Sequence, residues 1–95
     1  MELRDKVVVV TGGASGIGMG LCRRCREEQV RGLVIADLNG EAASALANEL
    51  DAKSVQLDVR DESAIAAMVA ETESEFGQID LFCSNAGVLD LDGDD

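Results

Sequence analysis

The residues best suited to chemistry lie near the start of the chain. Four valines, Val7 to Val10, run straight into Thr11-Gly12-Gly13-Ala14-Ser15-Gly16-Ile17-Gly18. A strand that ends in a glycine-rich turn and enters a helix is a phosphate-binding device. The free N–H groups of a helix N-terminus point toward the turn, and the helix dipole favours an anion there. The glycines serve different purposes. Gly12 turns the chain off the strand, Gly16 lets a pyrophosphate approach the backbone, and Gly18 lets the helix pack closely on the sheet. A lysine-bearing P-loop does not fit. Gly13 and Gly18 have its spacing, but Met19 stands where its lysine must be. On the glycines alone, a tight β–α turn with no ligand stays open.

Asp37 supplies the second group. It lies about 20 residues beyond the last loop glycine, where a dinucleotide-binding fold places a carboxylate for the ribose hydroxyls. A carboxylate there accepts hydrogen bonds from 2′- and 3′-hydroxyls and repels a 2′-phosphate. Its neighbours Leu38 and Asn39 offer no cation, and neither does Ser15 in the glycine loop. NAD is therefore expected over NADP. A solvated turn residue is the alternative for Asp37.

These groups need elements to position them. Val7–Val10, Leu33–Ala36, Val55–Val59 and Ile79–Cys83 are short and apolar, and read as strands. The first two are apolar throughout, as parallel strands buried on both faces should be. Helical spacing separates them. Ile17, Leu21 and Cys25 recur at i, i+4, i+8; Ala42, Ala43, Leu46, Ala47 and Leu50 form a second stripe; Ile65, Met68, Val69, Thr72 and Phe76 form a third. Asn39 and Asp61 are expected N-caps, and Gly77 an expected helix stop. The order β-α-β-α-β-α-β predicts an α/β fold: a Rossmann-like, doubly wound parallel sheet with right-handed crossovers and strand order 3-2-1-4.

Here the residues reach a family. Thr11-Gly12-x-x-x-Gly16-x-Gly18 resembles the TGxxxGxG of the short-chain dehydrogenase/reductase family. Asp37 at the end of strand two agrees in order and spacing. So does Leu57-Asp58-Val59 at the end of strand three, where the family's Asp contacts adenine. Ser84-Asn85-Ala86-Gly87 after strand four resembles the family's NNAG. The resemblance covers essentially the whole chain. It implies a cofactor site drawing Gly12, Ser15, Gly16, Ile17 and Gly18 from the first loop. Asp37 and Leu38 come from the second strand end, Asp58 and Val59 from the third, and Asn85, Ala86 and Gly87 from the fourth. Thr11 helps tie the first and fourth together. Two positions depart from the pattern. Ser84 replaces the first Asn of NNAG, and Gln29 stands where a helix-end glycine is usual, with Gly32 three residues on.

Family members continue well beyond this length, with a catalytic Ser and a Tyr-x-x-x-Lys pair. This chain contains no Tyr and no His. No catalytic residue is therefore carried over to it. The expectation is the N-terminal cofactor-binding part, residues 1–95, of an oxidoreductase that moves hydride between nicotinamide and an alcohol or carbonyl substrate. Alone, the chain is expected to be catalytically incompetent, and the substrate to belong to a full-length, homo-oligomeric form. The alternative is a truncated, non-catalytic dinucleotide-binding or regulatory module.

Composition narrows the partners. Net charge is −11, and from Gly32 onward two basic residues face fifteen acidic ones. Such a chain repels nucleic acid phosphates. No run approaches the roughly 20 apolar residues of a membrane span, so a cytoplasmic protein without membrane contact is expected. Cys22-Arg-Arg-Cys25 has CxxC spacing inside a helical pattern, with only Cys83 elsewhere and no His to complete a metal shell. Small buried hydrophobes are expected there, in preference to a zinc or dithiol site. Asp90, Asp92 and Asp94 imitate the start of a calcium loop, but the glycine is out of place and no bidentate Glu follows. No metal site is expected.

Overall fold

The computed structural model describes residues 2–84. Four strands and three helices alternate: β1 Val7–Thr11, α1 Gly16–Glu27, β2 Gly32–Asp37, α2 Gly40–Leu50, β3 Lys53–Gln56, α3 Glu62–Phe76 and β4 Leu81–Ser84. All pairings are parallel, in the order β3-β2-β1-β4. This is the expected Rossmann-like order. Asn85, Ala86, Gly87 and the acidic tail lie outside the described residues.

Alternation along β1 and β2 divides the core in two. Val8, Val10, Leu33 and Ile35 face α1 and α2, where they meet Cys22, Cys25, Ala43, Leu46 and Ala47. Val9, Val34 and Ala36 face the other way, with Leu57 and Met68, and α3 covers that side. Each strand residue therefore buries its side chain whichever way it points, which is why the first two strands show no polar alternation.

The helix ends follow local chemistry. Asn39 Oδ1 accepts the Ala42 N–H at 3.0 Å, and Asp61 Oδ1 accepts those of Ser63 and Ala64, both at 3.1 Å. Gly77 ends α3. At the end of α2, Arg26 reaches across from α1 and donates to the carbonyls of Leu50 at 2.8 Å and Asp51 at 3.2 Å. Gln29, which stands where the family pattern has a glycine, takes a left-handed conformation at φ 62°. Its carbonyl accepts the Asp5 N–H at 3.1 Å, which ties the α1–β2 turn to the chain before β1.

The main differences from the sequence expectation lie at β3, at β4 and on the face of α1. β3 runs over Lys53–Gln56, two residues earlier than expected, so Asp58 lies in the turn beyond the strand. As an edge strand it tolerates the polar Lys53 and Ser54, which hid its start. The chain then leaves the sheet through a turn in which Asp61 N–H donates to the Asp58 carbonyl at 2.9 Å. β4 begins at Leu81, and Asp80 just before it binds the start of β1: its N–H donates to the Val7 carbonyl and its carboxylate accepts the Val7 N–H, both at 2.9 Å. On α1 the sheet-facing stripe is Gly18, Cys22 and Cys25, whereas Ile17 is 82% exposed. Helix α1 approaches the sheet through its smallest residues, and that rotates Ile17 outward.

Cys22 and Cys25 are fully buried, as expected of small hydrophobes. Burial pushes the Cys22 thiol up to about 12, with the nearby Cys25 and Cys83 sulfurs adding to the effect. Such a thiol is not a nucleophile. Among the described residues, no helix is long and apolar enough to cross a membrane. Nor is any group of three or more His, Cys, Asp or Glu side chains arranged to hold a metal.

Gly32 makes a sharp test of the packing at the other end of the sheet. A Cβ there would lie 2.6 Å from Cγ of the Phe76 ring. Gly32→Ala is expected to destabilise the fold by about 1–3 kcal/mol through overpacking, read as a lower urea midpoint at unchanged slope.

Candidate functional site

The carboxyl ends of the four strands stand level. Thr11 pairs with Ala36 on one side and Ser84 on the other, and Asp37 pairs with Gln56. Strand order reverses at β1, which lies between β2 and β4 while its flanking helices occupy opposite faces. Crevices at such switch points are where open α/β sheets hold ligands. The glycine loop leaves β1 there.

The loop is built by backbone bonds and close approaches. Gly12 turns off the strand at φ 69°, and its N–H donates to the Ala36 carbonyl at 2.7 Å. Gly16, at φ 46°, opens α1 with empty space where a side chain would be. Gly18 is buried against the sheet. Gly13, to which the sequence assigns no role, is tightly enclosed. A Cβ on it would lie 2.9 Å from Ile35 Cγ2, 3.1 Å from Cys22 Sγ and 3.2 Å from the Val10 carbonyl. Its only sequence signal is its place beside Gly12.

The N-terminus of α1 differs from those of α2 and α3. Ser15 is its N-cap residue but makes no side-chain capping bond, and the first turn carries no acidic residue. The helix thus presents its first N–H donors and the positive end of its dipole with neither a capping side chain nor an acid of its own against them. Ile17 stands exposed beside them.

Asp37 closes the other side of the loop. Its Oδ2 accepts the Ala14 N–H at 3.0 Å and its Oδ1 the Asn39 N–H at 2.9 Å. The carboxylate is therefore fixed in place, with each oxygen using one of its acceptor positions. Leu38, next in the chain, is 64% exposed. The Gln56 side chain donates to the Leu38 carbonyl at 3.2 Å, a tie the sequence did not disclose. Leu57 N–H donates to the Asp37 carbonyl at 3.1 Å, so β3 and β2 leave the sheet side by side and bring Asp58 to the same edge. Val59 follows, half-buried against the α3 side of the core. On the opposite flank, buried Thr11 donates through Oγ1 to the Cys83 carbonyl at 3.4 Å, joining the end of β1 to that of β4.

Arg60 holds Asp58 from three directions. Its backbone N–H and Nε donate to Oδ1 at 2.9 and 3.0 Å, and Nη2 donates to Oδ2 at 2.8 Å. The guanidinium bonds, then the backbone bond, lower the Asp58 carboxyl from its ordinary 3.8 to about 2. The stability that this pinning contributes is fully present above pH 3.8 and is lost as pH falls through about 2. A carbon-detected NMR titration of the Asp58 carboxyl should show that midpoint, and Arg60→Ala should return it toward 3.8.

Comparison with known proteins adds an independent line. The family model for short chain dehydrogenases matches residues 6–94. Galactitol 2-dehydrogenase of Agrobacterium fabrum is 38% identical over 93 residues, covering 96% of this chain and 36% of the relative. (+)-cis,trans-nepetalactol synthase of Nepeta racemosa is 39% identical over 90 residues, covering 93% and 33%. Among solved structures, 3-ketoacyl-(acyl-carrier-protein) reductase from Brucella melitensis, complexed with NADH, is similar with a TM-score of 0.78 at 32% identity. That match covers 84% of this chain and 34% of the other. The chain thus spans about a third of the length of the proteins it matches. With the strand order, the glycine loop and the family match over residues 6–94 in agreement, the chain belongs to the short-chain dehydrogenase family.

Proposed function

We propose that this chain is the dinucleotide-binding, N-terminal part of an NAD-dependent oxidoreductase. The whole protein would move hydride between an alcohol or carbonyl substrate and a nicotinamide cofactor. The observation that carries this reading is the pairing of an uncapped helix N-terminus with a fixed carboxylate at the next strand end. A pyrophosphate suits the first, because the donors of α1 have no capping side chain and no first-turn acid to compete. A ribose suits the second, because each Asp37 oxygen keeps an acceptor position after bonding Ala14 and Asn39. The similar reductase complexed with NADH supports the same ligand class.

The residues divide the cofactor among them. Gly12, Ser15, Gly16, Ile17 and Gly18 would hold the pyrophosphate, Asp37 the adenosine ribose, and Leu38, Asp58 and Val59 the base. Asn85, Ala86 and Gly87 would line the cofactor beyond β4. The cofactor supplies the hydride chemistry when bound; these side chains bind and orient it. Because the chain has no Tyr, the Tyr-x-x-x-Lys pair implied by the family resemblance is not among its 95 residues. Cofactor binding without turnover is the activity proposed for the chain itself.

Preference for NAD over NADP follows from the Asp37 charge, which opposes a 2′-phosphate. Calorimetric titration should show NAD binding more tightly than NADP. Asp37→Ala should weaken NAD by about tenfold or more, the scale of hydrogen bonds to an ionised group, and weaken NADP less. Tighter NADP binding by the unaltered chain, or equal losses for both, would remove Asp37 from the ribose role.

A further inference from the structure

We propose that Arg60 is a positioning residue that clamps the Asp58 carboxylate so that the site selects a 6-amino purine over a 6-oxo purine. The proposal rests on the reading of Asp58 as the base contact of a bound dinucleotide. An ionised carboxylate has roughly four acceptor positions and no donor. Arg60 takes two on Oδ1 and one on Oδ2, which leaves one position, on Oδ2.

The clamp is held from both sides. Upstream, Leu57 N–H is bonded to the Asp37 carbonyl; downstream, Asp61 N–H is bonded to the Asp58 carbonyl. The neighbouring Asp61 caps α3 through one oxygen, Oδ1, which accepts from the Ser63 N–H, the Ser63 hydroxyl and the Ala64 N–H. Bidentate geometry fixes the plane of the Asp58 carboxylate, where a single bond would let it turn. The remaining lone pair then meets the purine 6-position at one angle. Adenine presents an N–H donor there. Hypoxanthine presents a carbonyl oxygen, and two acceptors face each other with no proton between them. Leu38, exposed at the adjoining strand end, offers apolar surface for the ring in either case. The guanidinium has a second effect: it offsets the Asp58 charge beside Asp37, so a dinucleotide pyrophosphate does not approach two bare carboxylates.

The test compares dissociation constants of NAD and nicotinamide hypoxanthine dinucleotide by calorimetry. The unaltered chain should prefer NAD by about tenfold, the scale of one hydrogen bond to an ionised group. Arg60→Ala should bring the two toward parity, chiefly by weakening NAD. Arg60→Lys should fall between, since an ammonium supplies charge without the planar fork. Asp58→Asn, which puts an amide donor within reach of the base, should abolish or invert the preference. If Arg60→Ala weakens both dinucleotides equally and keeps their ratio, Arg60 is merely structural and the proposal fails while Asp58 stands. If Asp58→Asn leaves the ratio unchanged, the base is not read there, and both fail. If the unaltered chain binds neither dinucleotide, the functional reading itself falls and takes the clamp with it. Should Arg60→Ala lose its fold by circular dichroism, the ratio for Arg60→Lys decides: an unchanged tenfold preference overturns the clamp.

Discussion

Everything at the proposed site hangs on the complete burial of β1. Val7 to Val10 and Thr11 have essentially no exposed surface, because β2 and β4 flank the strand and helix layers cover both faces. Burying one such side chain is worth about 1.5–3 kcal/mol. The exposed pairs Arg24–Glu28 and Lys53–Glu75 belong to a class worth about 0–1 kcal/mol each. The apolar sandwich therefore sets the position of the strand, and the ion pairs trim the surface. A strand fixed this firmly can deliver a glycine turn to one place without the turn itself being stiff.

That turn is then braced from its neighbours. Asp37 bonds the loop at Ala14 and its own chain at Asn39, so one carboxylate joins β2, the glycine loop and the entry to α2. Thr11 ties β1 to β4, and Gln56 ties β3 to Leu38. The polar groups at this edge are thus spent on holding strand ends together, while the N-terminus of α1 is not capped by its own Ser15. Asymmetry of this kind is what a phosphate-binding turn needs: a rigid rim around donors that remain available.

Much of the fold was legible because its signals are local or periodic. The valine run and the all-apolar Leu33–Ala36 announced two-sided burial. Asn39 and Asp61 announced helix starts, since capping depends on a side chain and an amide only a few residues apart. β3 was misplaced because an edge strand need not be apolar, and its true start, Lys53-Ser54, carries no strand signal. The sheet-facing stripe of α1 was misplaced because helical spacing fixes a period and not a rotation. Gly18, Cys22 and Cys25 win the sheet because small groups allow close approach, and that depends on Ile35 and Val10 across the interface.

The sequence by itself determined the element order, the family and the residue types at the strand ends. Those follow from short-range chemistry and spacing along one chain. Only the tertiary structure decided which groups meet. The Ala14 amide reaches Asp37 because β1 and β2 are neighbours in parallel register, and a side chain at Gly13 would crowd Ile35 and Cys22, which close on it from two different elements. The grip of Arg60 on Asp58 needs β3 to end early and turn before α3, and the residue types do not encode that boundary. Contacts between elements depend on packing in three dimensions, and packing is decided by the whole core at once.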